Sequence, residues 1–247
     1  MGATAMQDLS RKTVREIAVA APAATRLFEE FKIDFCCAGN KLFGDACEAA
    51  GVDARIIGEK LQAMLQAPPD RDVPEKMGPS ALIKHIVSEH HDFTRREVGR
   101  LNGLADKVFA AHGEKHPELS VVREAFNVLG NDLVSHMRKE EIVLFPYIEK
   151  LEDAAAGVQA PPQRPFGTIN NPVRMMCLEH DETGNILNRI RRASNDYAIP
   201  PDACPSYNAF YSGLENLERD LHQHIHLENN VLFPQAVSME TKSNFHS

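Results

Sequence analysis

The sequence predicts an all-α protein: a small helical N-terminal domain followed by an up-down-up-down four-helix bundle. Three observations predict it. Apolar residues recur at helical spacing along nearly the whole chain, and no strand-like alternation survives after residue 80. A Pro-rich polar stretch, Ala67-Pro68-Pro69-Asp70-Arg71-Asp72-Val73-Pro74, separates a short first region from a long second one. The second region divides into four long periodic segments joined by three breaks.

Taken in order, residues 1–70 form the first domain. Ser10 or Thr13 can cap a helix through Val14, Ile17 and Ala18, which Pro22 stops or restarts. Leu27, Phe28 and Phe31 continue an apolar stripe. The run from Asp34 to Asn40 ends in turn residues, and short helices over Leu42–Ala50 and Asp53–Gln66 follow. A unit this small is marginal alone, so it is expected to lean on the second domain or a partner, a homodimer being one arrangement. Residues 71–79 are the linker, and residues 80–240 the bundle. Its helices are expected near Ser80–Ala111, Leu119–Leu151, Pro172–Asp196 and Pro205–Met239, with a Gly/Ala/Pro loop over Glu152–Pro165 and a break at Pro200-Pro201.

The bundle contains one pattern twice. Leu129, Asp132-Leu133, His136, Glu140 and Val143-Leu144-Phe145-Pro146 are matched position for position by Leu217, Asp220-Leu221, His224, Glu228 and Val231-Leu232-Phe233-Pro234. His91-Asp92 lies 45 residues before His136, and His180-Asp181 lies 44 before His224. Residues four apart stack on one helix face, so each His/Glu pair shares the apolar stripe and points inward. A buried carboxylate is costly unless something pairs with it. Two such pairs facing each other, with His91 and His180 from the other helices, predict a site for two cations.

The repeat also selects His91 over His90, and helical angles turn His222, His226 and Glu141 away from the ligand face. Asp132 and Asp220, a turn before the histidines, are expected to orient them. The mixed imidazole and carboxylate set favours iron. A single buried histidine is usually a core residue, and a single His-x-x-x-Glu is usually a solvated pair; the duplication of ligand types at buried positions outweighs both. Each Leu-Phe-Pro is expected to bend or end its helix, because proline lacks the N–H.

A net charge of -8 argues against nucleic acid or an anionic membrane as partner. No apolar run is long enough to span a bilayer, and the first residues lack a signal pattern, which points to the cytoplasm. Five cysteines without framework spacing are expected as thiols. Cys36 and Cys37 are adjacent, too close for a relaxed internal disulfide, and suit reversible redox chemistry or transfer of iron or sulfur. Cys47, Cys177 and Cys204 read as plain core or surface thiols.

Residues 80–238 resemble a hemerythrin-type domain. From about residue 8 the chain resembles the bacterial repair-of-iron-centres family, the di-iron iron–sulfur cluster repair proteins. The resemblance rests on Asp34-Phe35-Cys36-Cys37-Ala38-Gly39, on Glu179-His180-Asp181-Glu182, and on Leu227-Glu228-Asn229-Asn230-Val231-Leu232-Phe233-Pro234. It implies two non-haem iron ions, oxo- or hydroxo-bridged, ligated by His91, His136, His180 and His224 and bridged by Glu140 and Glu228. It implies restoration of iron–sulfur clusters damaged by nitric oxide or oxidative stress, with Cys36 and Cys37 as the working thiols. Damaged iron–sulfur proteins would be the partners, and nitric oxide or oxygen the small ligand. Two expectations follow for the chemistry: nitric oxide reductase-like turnover or iron donation, or else binding, scavenging or sensing without turnover. Oxygen-carrying hemerythrins have more histidine ligands, which places oxygen storage last.

Overall fold

The computed structural model describes residues 9–21, 23–35, 39–65, 73–163 and 165–243. Helices account for most of them, and the described residues contain no strand beyond one isolated bridge between Thr13 and Leu42. Among them no helix is long and apolar enough to cross a membrane. Contacts divide the chain into two compact units: Met1–Leu82 with His222–Gln235, and Ile83–Leu221 with Ala236–Ser247.

In the first unit, α1 spans Val14–Ala20, α2 Ala24–Glu30, α3 Phe43–Ala49 and α4 Ala54–Leu65. Thr13, not Ser10, caps α1: its hydroxyl accepts from the Glu16 amide at 3.1 Å, and the Glu16 carboxylate accepts from the Thr13 amide at 2.7 Å. This reciprocal pair satisfies two amides that a helix start leaves without partners. The apolar stripes meet in a core of Val14, Ile17, Leu27, Phe28, Phe35, Phe43, Cys47, Ile57, Leu61 and Ile225. Gly39 is needed where the chain turns back, because a Cβ there would sit 2.5 Å from the Phe35 carbonyl oxygen. The linker includes a short 3₁₀ turn, Pro74–Lys76.

The long helices agree with the sequence in number and order. The first, α5, runs Pro79–His85, a π-helical turn Ile86–His91, then Asp92–His112; α6 runs Glu118–Lys139, a π turn Glu140–Leu144, then Phe145–Ala155. Helix α7 is Asn170–Ala193, and α8 runs Pro205–His226, a π turn Leu227–Leu232, then Phe233–Ser243. Their second-unit portions enclose one core that includes Val98, Leu101, Phe126, Leu129, Leu187, Ile190, Phe210 and Leu217. Gly130 permits close approach of α5 to α6: a Cβ there would lie 2.9 Å from Val98 Cγ1.

Two expectations are corrected. Pro146 and Pro234 end nothing. In both helices the amide of the preceding phenylalanine reaches back five residues, Phe145 to the Glu140 carbonyl and Phe233 to that of Glu228. The widened turn accommodates the missing proline N–H and the helix continues. Helix α7 stops at Ala193, short of Asp196, because Asn195, Asp196 and Tyr197 all take left-handed φ (50°, 61° and 59°). That turn is held by the Tyr197 amide, which donates to the Ser194 hydroxyl at 3.0 Å, and by the ion pair of Arg191 with Asp196.

Candidate metal centre

Glu140 is the pivot of the second unit. It opens the π turn of α6, is completely buried, and has no hydrogen-bond partner on either carboxylate oxygen. Each oxygen approaches a different imidazole. Oε1 lies 3.3 Å from His136 Nε2, and Oε2 lies 3.5 Å from His91 Nε2. His180 from α7 completes the group, its Nε2 3.0 Å from His136 Nε2. One ligand atom each from His136, Glu140 and His180 falls within a 4.8 Å span, as does one each from His91 and Glu140.

The donor set fits cations. Atoms bound to one metal at about 2.1 Å stand roughly 3 Å apart, close to these separations. The carboxylate spans from the His91 side to the His136 side.

Outer carboxylates fix the imidazoles. His91 Nδ1 donates to Glu141 at 2.6 Å, and its ring stacks on Phe145 at 5.7 Å. His136 Nδ1 donates to Glu179 at 2.8 Å. With the proton held at Nδ1, each Nε2 presents its lone pair inward. Arg95 pairs with Glu141, and Lys139 with Glu179. Burial pushes both glutamates upward, but hydrogen bonds from these cations and the histidines outweigh it and hold them below the usual carboxylate range.

These partners differ from the ones expected. Asp132 is exposed, and Asp220 engages His90 Nδ1 at 2.9 Å rather than a candidate ligand. The orienting groups come from neighbouring helices, so spacing along one helix could not reveal them. The available signal was Glu179, next to His180 in the chain. Glu141 does leave the ligand face, yet in doing so it meets His91. His90 and His91 are both buried but point to different partners, Asp220 and Glu140.

In the first unit, the second copy of the pattern repeats the first. His224 Nε2 lies 3.0 Å from Glu228 Oε1, and both side chains are buried. His222 and His226 engage the N-terminal helices instead. His222 Nδ1 meets Glu29 at 2.9 Å, while His226 packs edge-on against Phe35 and accepts from Asn230 at 2.8 Å. Burial lowers His226 to about 4, keeping it neutral. Asn230 also donates to the Phe35 carbonyl at 3.3 Å, and the Arg15 guanidinium donates to the Asn229 carbonyl at 2.7 Å. Cys36 and Cys37 lie outside the described residues.

Comparison with known proteins gives two family matches. Residues 82–236 match the model of the hemerythrin HHE cation binding domain, and residues 10–65 match a domain of unknown function, DUF542. The iron-sulfur cluster repair protein YtfE of Cronobacter sakazakii is 35% identical over 91% of this chain and 96% of its own length. The chain belongs to the hemerythrin-domain iron–sulfur cluster repair family. Proteins of the same name from Escherichia coli and Shigella boydii are each 34% identical over the same shares of both chains. Family membership makes this a cation-binding helical protein, and the His/Glu group around Glu140 is where the second unit could hold a metal.

Proposed function

We propose that His91, His136, Glu140, His180, His224 and Glu228 hold two non-haem iron ions, with Glu140 and Glu228 bridging them, and that the protein restores iron–sulfur clusters damaged by nitric oxide or oxidative stress. The observation that carries the metal reading is Glu140, a fully buried carboxylate whose two oxygens face two different histidines and lack any hydrogen bond. The internal repeat extends it to His224 and Glu228. The repair role is supported by the printed names of relatives that match across almost the whole chain.

The bound iron would supply a place for nitric oxide to bind and be reduced, or iron to donate to a damaged cluster. The chain does the rest. The histidines present lone pairs fixed by Glu141 and Glu179, and Leu129, Leu133 and Met137 beside them keep the setting apolar. Within this proposal residues 1–70 deliver Cys36 and Cys37 as exchangeable thiols, residues 71–79 link, and residues 80–240 carry the iron.

The test supplies a nitric oxide-damaged iron–sulfur enzyme with the iron-loaded protein and follows recovery of its activity. Wild type should restore it, while Cys36→Ala with Cys37→Ala should keep its iron and restore little. Loss of iron from that variant would instead make the pair structural. Nitrous oxide formed over many turnovers would show catalysis; uptake of nitric oxide without it would show a binding protein.

A further inference from the structure

The duplicated pattern differs at the two positions after its glutamate. Glu140 is followed by Glu141 and by Ile142, which is exposed; Glu228 is followed by Asn229 and by Asn230, which is buried. Within the first unit both asparagines are held by residues distant in sequence. The Arg15 guanidinium donates to the Asn229 carbonyl at 2.7 Å. The Asn230 side-chain amide donates to the Phe35 carbonyl at 3.3 Å and to His226 Nδ1 at 2.8 Å, and the His226 ring lies edge-on to Phe35, centroids 5.4 Å apart. Arg15 is fixed in turn, because its own amide donates to the Gly39 carbonyl at 2.8 Å.

The register of the π turn explains why these donors matter. The Phe233 amide reaches back five residues to the Glu228 carbonyl. In that register the donor for the Asn229 carbonyl would come from residue 234, and Pro234 has no N–H to give. Arg15 therefore supplies a donor at the carbonyl where the proline interrupts the ladder. The donor is charged, and a charge-assisted hydrogen bond is stronger than one between neutral groups. One residue further on, Asn230 ties the same turn to Phe35 through its side chain.

We propose that Arg15 and Asn230 are positioning residues for Glu228: they hold the π turn of α8 in its widened register and so fix where that carboxylate points. The inference rests on the reading of Glu228 as an iron ligand. Asn229 and Asn230 follow Glu228 directly, so a shift of the backbone they anchor is a shift of Glu228 against His224, whose Nε2 stands 3.0 Å from Glu228 Oε1. Neither Arg15 nor Asn230 gives a donor atom to the ligand group. They act through the turn, and the hold on iron then depends on Arg15 and Phe35 staying in place. The repeat could not reveal this, because the two copies diverge at the anchored positions.

The test uses the full chain in two states. In metal-free protein, hydrogen exchange of the amides over residues 227–233 should quicken in Arg15→Met and in Asn230→Leu, while exchange over residues 140–145 stays as in wild type. In iron-loaded protein both variants should surrender iron to a chelator about tenfold faster than wild type. Arg15→Lys keeps a donor and should recover most of that loss. Thr13→Ala removes the cap of α1 without touching either contact, and should leave iron release near the wild-type rate. Unchanged exchange over residues 227–233 in Arg15→Met, wild-type iron release from it, or equal loss from Thr13→Ala would overturn the proposal. Arg15 is half-buried, so its variant decides the matter even if the Asn230 variant does not fold. A wild-type chain that takes up no iron would instead refute the ligand reading of Glu228, and hydrogen exchange alone would then decide whether Arg15 and Asn230 hold the turn.

Discussion

The carboxylate of Glu140 is buried with neither oxygen hydrogen-bonded, an arrangement that costs free energy unless a cation compensates it. Two opposite signs follow from one substitution. In metal-free protein Glu140→Gln should raise stability by roughly 1–3 kcal/mol in urea unfolding, because an uncompensated buried charge is removed. In protein exposed to iron the same change should lower the metal bound. A metal-free variant less stable than wild type would mean Glu140 serves as an ordinary ion-pair partner of His91 and His136. Glu179 offers a milder test. It touches His136 Nδ1 and not the ligand face, so Glu179→Gln should keep the fold and weaken iron retention against a chelator by about 10–100-fold. Unchanged retention would show that the contact does not orient the imidazole. These partners were not legible in the sequence, since a helical repeat ranks faces of one helix and Glu179 reaches His136 from another.

At the scale of elements, the turns of π-helix are what the sequence concealed. Positions and order of α5 to α8 follow from apolar periodicity, and the Thr13 cap from its spacing to Glu16. The prolines at 146 and 234 marked the right place for an irregularity, but of the bend or end expected there the end does not occur. A helix interior can absorb a missing N–H by widening one turn, and sequence does not distinguish this from a stop. The three π turns contain His91, Glu140 and Glu228, so the irregularity is concentrated where candidate ligand residues lie. Ile142 is exposed within the α6 turn. Deleting it should restore α-helical hydrogen bonding and rotate Phe145, Tyr147, Ile148 and Leu151 by about 100° relative to His136. These four are buried, so the deletion should cost more than about 3 kcal/mol in chemical denaturation. A loss under about 0.5 kcal/mol would show that the extra residue is not needed.

For the whole molecule, the helical class and the two-part organisation could be read from a Pro-rich break and four periodic segments, and family membership agrees with both. The six candidate ligands could be named because the chain carries their pattern twice, so each copy tests the other. His91 is an example: repeat symmetry preferred it to His90, and the structure sets His91 against Glu140 and His90 against Asp220. What could not be read is how residues distant in sequence meet, whether Glu141 with His91 or Phe35 with His226. The repeated His/Glu pattern is proposed to build a centre for two irons. Metal analysis with Mössbauer spectroscopy of the purified iron-loaded chain tests it most directly. About two irons per chain in a magnetically coupled pair are expected. One iron per chain, two uncoupled irons, or another metal in their place would contradict it.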